Sequence, residues 1–386
     1  MNPASARATA TFAFLLAAAC GDNAHDQGTT AITDSAGVTL AVAPATDHPL
    51  GWAMTERFRL GGADEGPGSF TNANAFTTGT DQAGNIYVLD GQQSRVEVFS
   101  PTGNHIRFLG RPGGGPGEFQ FPISFFVSPA GVANVYDGSK QALVRWDANG
   151  DLLPLLSLQG ASAQLPRAYG DTLIFTQGDR SDTEFTTRLL VVVGSDTTIL
   201  TSQSAPNGTM VQFSCVSFIQ PPVFTPRLQW SSNGQVVAST RQTPYQVDIY
   251  QGDSLVRSIR RPIPPKPTSV DDVARLYPDG MTVRFGGGGA CTIPASEIME
   301  KQGVAPSLPQ IRSLVLDPQG RLWVERYTFD DEVALVDLFD AEGRYQGTLS
   351  DTGLPLGFIG TDVILFAKED PDTGVQQVVA YQVTEA

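Results

Sequence analysis

Short runs of alternating apolar and polar residues recur along most of the chain. Runs such as "NIYVLD" and "RVEVFS" place apolar side chains at every second position, which is the period of a half-buried β-strand. Gly, Asp, Asn and Pro lie between the runs, where they favour tight turns. With 40 Gly and 27 Pro in 386 residues, the composition agrees with many short strands rather than long helices. The pattern predicts an all-β protein.

The first two groups of strands are copies of one another. "GADEGPGSF" ends at Phe70, "GGGPGEF" ends at Phe119, and a similar series of residues follows each. The matched positions are 47 apart, and they pair Gly84 with Gly131, Asp90 with Asp137, Phe99 with Trp146, and Gly103 with Gly150. A constant offset with the same turn residues indicates an internal repeat of about four antiparallel strands. Phe99 and Trp146 fall on third strands, where they are expected to pack between neighbouring sheets.

Four fainter copies follow, with first hairpins in "PRAYGDTLIFTQ", "PRLQWSSNGQVVAST", "IRSLVLDPQGRLWVERY" and "GTDVILFAKE". One four-stranded sheet cannot bury both of its faces, so the copies must stack. The last copy is one strand short, and the strand in "AGVTLAVAP" near residue 40 is expected to complete it and close the ring. The sequence therefore predicts a six-bladed β-propeller of four-stranded antiparallel blades over residues 37–386, with seven blades as the alternative.

The glycine-rich stretch "GRPGGGPGEFQFP", residues 110–122, has the composition of a phosphate-binding loop. No Lys-Ser/Thr pair follows its glycines and no helical pattern begins after it, although a phosphate loop requires both. We interpret it as the crossover between two blades, in which Gly supplies positive φ and Pro fixes the turn.

An insertion at about residues 262–309 interrupts the repeat between the fourth and fifth blades. "PTSVDDVARLYPDG" predicts a short helix with Ser269 and Asp272 as its capping box, and "PASEIMEKQG" predicts a second helix between Pro294 and Gly303. A flexible segment between the helices could act as a lid or recognition loop over one face, or could simply pack on the rim. Its residues are Arg284, Gly286, Gly287, Gly288 and Gly289.

The first 20 residues have the pattern of a secretory signal. Arg7 precedes an apolar run, Ala8–Ala19, that is too short for a stable membrane span. The small residues before Cys20 resemble a bacterial lipobox, which implies that Cys20 is lipidated and that residues 21–36 form a tether. An ordinary signal peptide cut nearby is the alternative. We expect a protein of the bacterial cell envelope, at the outer membrane or facing the periplasm, that meets the membrane only through its lipid.

The charge of the chain argues against one class of partner, and the state of its cysteines depends on the compartment. A net charge of −15 and a pI near 4.6, without a basic cluster, argue against a nucleic-acid partner. Cys215 and Cys291 remain after export. In an oxidising compartment they form either a disulfide or two buried thiols, and their spacing alone does not decide between these.

The two clear copies resemble NHL repeats, in "NIYVLD", "VEVFSPTG" and "VRWDANG". The chain also resembles bacterial exported six-bladed propeller lipoproteins that open with a "DSAGV" stretch, here Asp34–Val38. The resemblance implies the fold and leaves the function open, because propellers include lyases, lactonases and plain binding platforms.

Metal ligands are sparse in the sequence. NHL-like amidating lyases hold a metal with several histidines, but His25, His48 and His105 lack ligand spacing. Asn72 and Asn74, before the first innermost strand, are the weak candidates for a channel calcium of the kind in gluconolactonase-like propellers. We therefore expect no cofactor, with calcium as the alternative.

Three arginines are candidates for binding an anion. Arg167, Arg227 and Arg312 are each read as lying seven to nine residues before the hairpin of an innermost strand. This spacing predicts three guanidinium groups at equal heights around one rim, where they would bind a carboxylate, sulfate or phosphate. The alternative is that each pairs with an Asp or Glu of a neighbouring blade.

These features favour a binding platform without enzymatic activity, whose ligand is a protein, a peptide or a polysaccharide. The alternative is a metal-dependent hydrolase or lyase of the lactonase-like kind, because propeller active sites assemble from residues far apart in sequence.

Overall fold

The computed structural model describes residues 29–63, 65–158, 164–284 and 289–385. The predicted signal, Cys20 and the first half of the predicted tether, residues 21–28, lie outside this range. Three strands precede the first complete blade: β1 (Ala31–Ser35), β2 (Val38–Val42) and β3 (Trp52–Leu60). The first two blades contain β4 (Thr78–Thr80), β5 (Ile86–Asp90), β6 (Arg95–Phe99), β7 (His105–Leu109), β8 (Pro122–Val127), β9 (Ala133–Asp137), β10 (Ala142–Trp146) and β11 (Leu152–Ser157).

The third blade and a separate hairpin follow. They consist of β12 (Gln164–Tyr169), β13 (Thr172–Arg180), β14 (Glu184–Val193), β15 (Asp196–Pro206), β16 (Thr209–Gln212) and β17 (Ser217–Gln220). The fourth blade and the insertion after it contain β18 (Gln229–Ser232), β19 (Val237–Thr240), β20 (Gln246–Gln251), β21 (Ser254–Arg260), α1 (Val270–Leu276), β22 (Met281–Arg284), β23 (Ala290–Ile293) and α2 (Ala295–Gln302).

The last two blades complete the ring. They contain β24 (Ile311–Leu316), β25 (Leu322–Arg326), β26 (Leu335–Phe339), β27 (Tyr345–Ser350), β28 (Gly357–Ile359), β29 (Val363–Glu369) and β30 (Gln376–Glu385). Each blade is an antiparallel sheet of four strands in sequence order, with β3 supplying the fourth strand of the sixth blade. The predicted six-bladed β-propeller is confirmed.

The core lies between the blades, as stacking requires. Trp146 on β10 packs edge-to-face against Phe119 at 5.4 Å between ring centres, in the apolar layer between the first and second blades. Phe99 on β6 makes the equivalent contact with Phe70 at 6.4 Å, between the sixth and first blades. Phe70 and Phe119, the last residues of the two crossovers, are each only 1% exposed. The glycine-rich stretch is therefore a structural element that positions a core aromatic.

Ring closure differs from the prediction. The strand that pairs with β30 is β3, and "AGVTLAVAP" contributes β2, which runs parallel to β21 and extends the fourth blade outward. β30 has ten residues, so the nine residues of β3 can cover it and the five of β2 cannot. β3 also points Trp52 and Met54 into the layer between the fifth and sixth blades.

Two insertions pack together into one unit, here called the cap. The hairpin β16–β17 comes from the connection between the third and fourth blades, and α1, β22, β23 and α2 come from the predicted insertion. Their shared apolar cluster includes Phe213, Val273 and Ile298. A disulfide joins Cys215 to Cys291, with 6.3 Å between the Cα atoms, and so links the two insertions.

Both cap helices begin and end where the sequence predicts. Ser269 caps α1 and forms the capping box with Asp272, while α2 lies between Pro294 and Gly303. Neither helix in the described part of the chain has the length or apolarity that crossing a membrane requires.

The strand order defines two faces of the disc. Connections between successive blades lie on the face that carries the cap, here the cap face. The turns that join the first and second strands of each blade lie on the opposite face, here the turn face, because the innermost strands run from one to the other.

A buried ionic cluster fastens the fourth blade, the fifth blade and the N-terminal segment. Arg261 lies beside Asp337, and neither side chain has exposed surface. Arg326 donates to Asp337 Oδ1 at 2.6 Å and to Asp47 Oδ2 at 2.9 Å, and Tyr245 donates its hydroxyl to Asp337 Oδ2 at 2.6 Å. Asp337 thus connects groups from four separate segments.

Candidate functional site

A cavity of about 300 Å³ occupies the half of the central channel next to the turn face. All six innermost strands contribute to its wall, for example through Thr78, Phe126, Arg167, Ser231, Val315 and Phe358. Its mouth is formed by residues at the first turns of four blades, namely Gln82, Pro129, Asn233 and Pro318. A concave, largely apolar pocket with a few convergent polar groups is the usual form of a small-molecule site.

Arg167 is the cationic group in this wall. Its Nη1 lies 3.5 Å from the carbonyl oxygen of Phe125, a long contact, and its guanidinium carbon lies 4.8 Å from the centre of the Phe126 ring. None of the described carboxylates forms an ion pair with it. Burial lowers the pKa of the guanidinium, although the nearby Tyr169 opposes this. The charge is thus poorly compensated within the protein.

Several residues of the cavity wall carry hydroxyl groups. Thr78 is 5% exposed, and its Oγ1 has no hydrogen-bond partner among the described residues. Ser231 Oγ accepts a hydrogen bond from the backbone N–H of Leu316 at 3.0 Å. Tyr169 donates its hydroxyl to the carbonyl of Ser232 at 2.6 Å. The Thr78 hydroxyl has almost no accessible surface, so a ligand in the cavity does not reach it. Ser231 only accepts in its bond to Leu316, so its O–H can still donate to a ligand.

Thr78 and Arg167 lie at the same height in the channel. Height is counted here from the last pair of strand residues before the turn of each first hairpin. In the first blade this pair is Thr80 with Ile86, and Thr78 lies two residues before it. Arg167 precedes the last pair of its own, Tyr169 with Thr172, by the same two residues. The innermost strand β8 separates them, and its Phe126 lies in the wall between.

Asp81 is the acidic residue of the wall, near the mouth. Its Oδ1 accepts from the backbone N–H of Asn85 at 2.8 Å, and its Oδ2 accepts from Asn85 Nδ2 at 2.8 Å and from the Tyr87 hydroxyl at 3.1 Å. Burial, together with Asp81, raises the pKa of Tyr87 well above its ordinary value. Asp81 therefore fixes the first turn of the blade.

A sequence model described as "6-bladed beta-propeller", DUF5128, matches residues 80–217. The chain is a six-bladed β-propeller. A comparison with curated proteins finds no match.

Solved propellers are similar in fold. A "Putative exported protein" from Bacteroides fragilis is 13% identical, with a TM-score of 0.50 over 88% of this chain and 97% of the other. A member of the "duf4221" family from Bacteroides vulgatus is 8% identical, with a TM-score of 0.50 over 88% and 100%. The calcium-binding protein regucalcin from Agrobacterium tumefaciens is 14% identical, with a TM-score of 0.36 over 80% and 88%.

The propeller does not hold the three predicted arginines on one rim. Arg167 precedes the last pair of its hairpin by two residues, Arg312 by four and Arg227 by five. At a rise of about 3.3 Å per residue, Arg312 lies about 7 Å and Arg227 about 10 Å away from the height of Arg167 in the channel. The prediction of equal heights is wrong because the turn after Arg167 comes at once, in "YGDT", and not several residues later.

The other two arginines lie towards the cap face, outside the cavity wall. Arg227 is exposed, and its charge acts on Tyr277 of the cap. Arg312 donates to the carbonyl of Thr328, lies over the ring of Tyr327 at 5.4 Å, and is 3.9 Å from a carboxylate oxygen of Asp330. Arg312 thus pairs with an acidic residue of its own blade.

The cap does not cover the mouth of the cavity, since it lies on the opposite face. Arg284 is exposed at the end of β22, and Gly289 lies just before β23. Gly286, Gly287 and Gly288 fall outside the described residues. A recognition role for this segment at the cap face stays a prediction.

The candidate metal ligands serve local structure. Asn74 Oδ1 accepts from the backbone N–H of Phe76 at 2.8 Å, and Asn74 Nδ2 donates to Asn72 Oδ1 at 2.9 Å. The described residues contain no group of three or more His, Cys, Asp or Glu side chains that could hold a metal. His48 packs on Tyr345, and His105 packs on Phe108, while His25 lies outside the described range.

Proposed function

We propose that this propeller is an exported, lipid-anchored binding protein that takes a small ligand into the channel cavity from the turn face. The observation that carries the proposal is the cavity itself. All six blades contribute to its wall, which combines apolar side chains with polar ones such as Arg167, Asn233 and Gln235.

Three observations support export. The first 20 residues have a signal pattern that ends at Cys20. The Cys215–Cys291 disulfide is of the kind that persists in oxidising compartments. A structure of similar fold from Bacteroides fragilis is named as an exported protein.

A peptide or polysaccharide could also use this site by inserting one side group through the mouth.

The direct test is a screen of small neutral, cationic and anionic fragments against the chain without its first 20 residues. Methyl-labelled Val127, Val315, Leu316 and Leu356 line the cavity, so their NMR signals report occupancy whatever the ligand class. Methyl groups of the cap core serve as the internal reference.

A blocked cavity provides the control. Ser231→Trp adds a large side chain to the wall and should abolish the shifts, while Ser217→Trp, at an exposed position of β17, should preserve them. If no fragment shifts the four cavity methyl signals, or if Ser231→Trp leaves the shifts intact, the proposal is wrong.

A further inference from the structure

We infer that the ligand of the channel cavity is a small monocarboxylate with an apolar body, whose carboxylate is bound by Arg167. This inference rests on the proposed function, because it names the chemical class that the same cavity would accept.

The charge of the wall indicates an anion. Arg167 is the single Lys, Arg or His side chain among the described wall residues, and no carboxylate pairs with it. A guanidinium removed from bulk water without a counter-charge is costly, and a bound anion would offset that cost. In a chain of net charge −15, other arginines of the fold, such as Arg261 and Arg321, have acidic partners at 2.6–2.9 Å. Arg167 differs from these two in having only the long contact with the carbonyl of Phe125, so a bound anion would supply its counter-charge.

The placement of the polar groups indicates a carboxylate. The guanidinium of Arg167 uses only one long contact, to the carbonyl of Phe125, and so has unused donor capacity. A carboxylate offers two acceptor oxygens and can receive two N–H groups of one guanidinium together. The Phe126 ring, against which the guanidinium rests, orients Arg167 before any ligand arrives.

The rest of the wall indicates one charge and an apolar body. Val127, Val315, Leu316, Leu356 and Phe358 form the apolar part of the wall, beside uncharged polar residues that include Asn233 and Gln235. Asp81 adds a carboxylate near the mouth, which disfavours a second negative charge on the ligand. A sulfate or a doubly ionised phosphate would carry that second charge.

Benzoate and benzamide test the inference, since they differ in charge and hardly in shape. Calorimetry with the exported chain should show benzoate binding about 10–100 times more tightly than benzamide, the range for a charge-assisted hydrogen bond of about 1.5–3 kcal/mol. Arg167→Gln should lower the affinity for benzoate to about that for benzamide and so remove this preference. Arg312→Gln, outside the wall, should change neither.

Each alternative has its own signature. If benzamide shifts the cavity methyl signals as strongly as benzoate does, the cavity binds ligands but not carboxylates, and only the inference fails. If inorganic phosphate or sulfate binds more tightly than benzoate, the proposed ligand class is wrong. If no compound shifts those signals, the proposed function itself fails. Because the comparison of benzoate with benzamide uses the unaltered chain, it holds even if Arg167→Gln does not fold.

Discussion

The guanidinium of Arg261 lies 2.9 Å from the carboxylate of Asp337 (Nη1 to Oδ2), and neither side chain exposes any surface. The contact is an ion pair between the end of the fourth blade and the third strand of the fifth. Asp337 also accepts hydrogen bonds from Arg326, Tyr245 and Thr348. One carboxylate therefore compensates the charges of two arginines where the fourth and fifth blades meet.

Asp337→Asn should destabilise the propeller by about 3–5 kcal/mol, because it removes the buried carboxylate between Arg261 and Arg326 and leaves them only the partly exposed Asp47. Urea unfolding followed by tryptophan fluorescence measures the loss. Asp253→Asn, at an exposed turn, is the matched control and should lie within about 0.5 kcal/mol of the unaltered chain. Equal stability of the two variants would show that the cluster is not a stabilising element.

Asp47 should make stability depend on pH in the acid range. Hydrogen bonding to Arg326 lowers the pKa of Asp47 below its ordinary 3.8, against the opposing effect of burial. A lowered folded-state pKa gives stability that is present above pH 3.8 and is lost as pH falls through the lower, folded-state value. Thermal unfolding from pH 7 to pH 2 should therefore show a smaller acid loss in Asp47→Asn than in the unaltered chain. An identical pH profile for the two proteins would contradict this.

Cys291→Ala should loosen the cap and spare the blades. The disulfide closes a loop of 76 residues, and loss of such a crosslink typically costs about 2–4 kcal/mol. Limited proteolysis should cut the variant first within residues 207–226 or 262–309 while the blades remain intact. Cys215→Ala should behave in the same way, and the double variant should be no worse. Early cleavage within the blades would show that the disulfide stabilises the whole ring.

Gly110→Ala tests the blade crossover. Gly110 has φ of 79°, and a Cβ there would lie 2.3 Å from a ring carbon of the buried Phe119. Gly170 has φ of 60° with no atom within 4 Å of the same position, so Gly170→Ala isolates the backbone strain of about 1–2 kcal/mol. Chemical denaturation should show a clearly larger loss for Gly110→Ala. Equal losses would mean that Phe119 moves aside freely.

Structural features that depend on residues close together in the sequence could be predicted. Alternation and turn residues identified the blades, and Ser269 with Asp272 identified the start of α1, because each signal lies within a few residues. The choice of closing strand could not be predicted, since "AGVTLAVAP" and Trp52–Leu60 both read as strands and only the length of β30 decides between them.

The sequence likewise predicted part of the candidate site and missed the rest. Arg167 was identified as a candidate from its residue type, but its height depends on a tight turn at Gly170 that a faint repeat does not reveal. Thr78 carried no signal, because a threonine in a strand is ordinary until its hydroxyl lacks a partner. The hairpin β16–β17, which carries Cys215 between its strands, was also missed. A periodic sequence pattern does not show which distant segments come together in space.

The parallel strand β2 determines how this disc can sit at a membrane. β1 and β2 form the outermost part of the fourth blade, so the described chain begins at the circumference and not on either face. If Cys20 carries the lipid as proposed, residues 21–28 span at most about 30 Å, at ~3.5 Å per residue. The lipid would then attach to the rim of the disc and to neither of its faces. Neither the cavity mouth nor the cap would therefore have to lie against the bilayer.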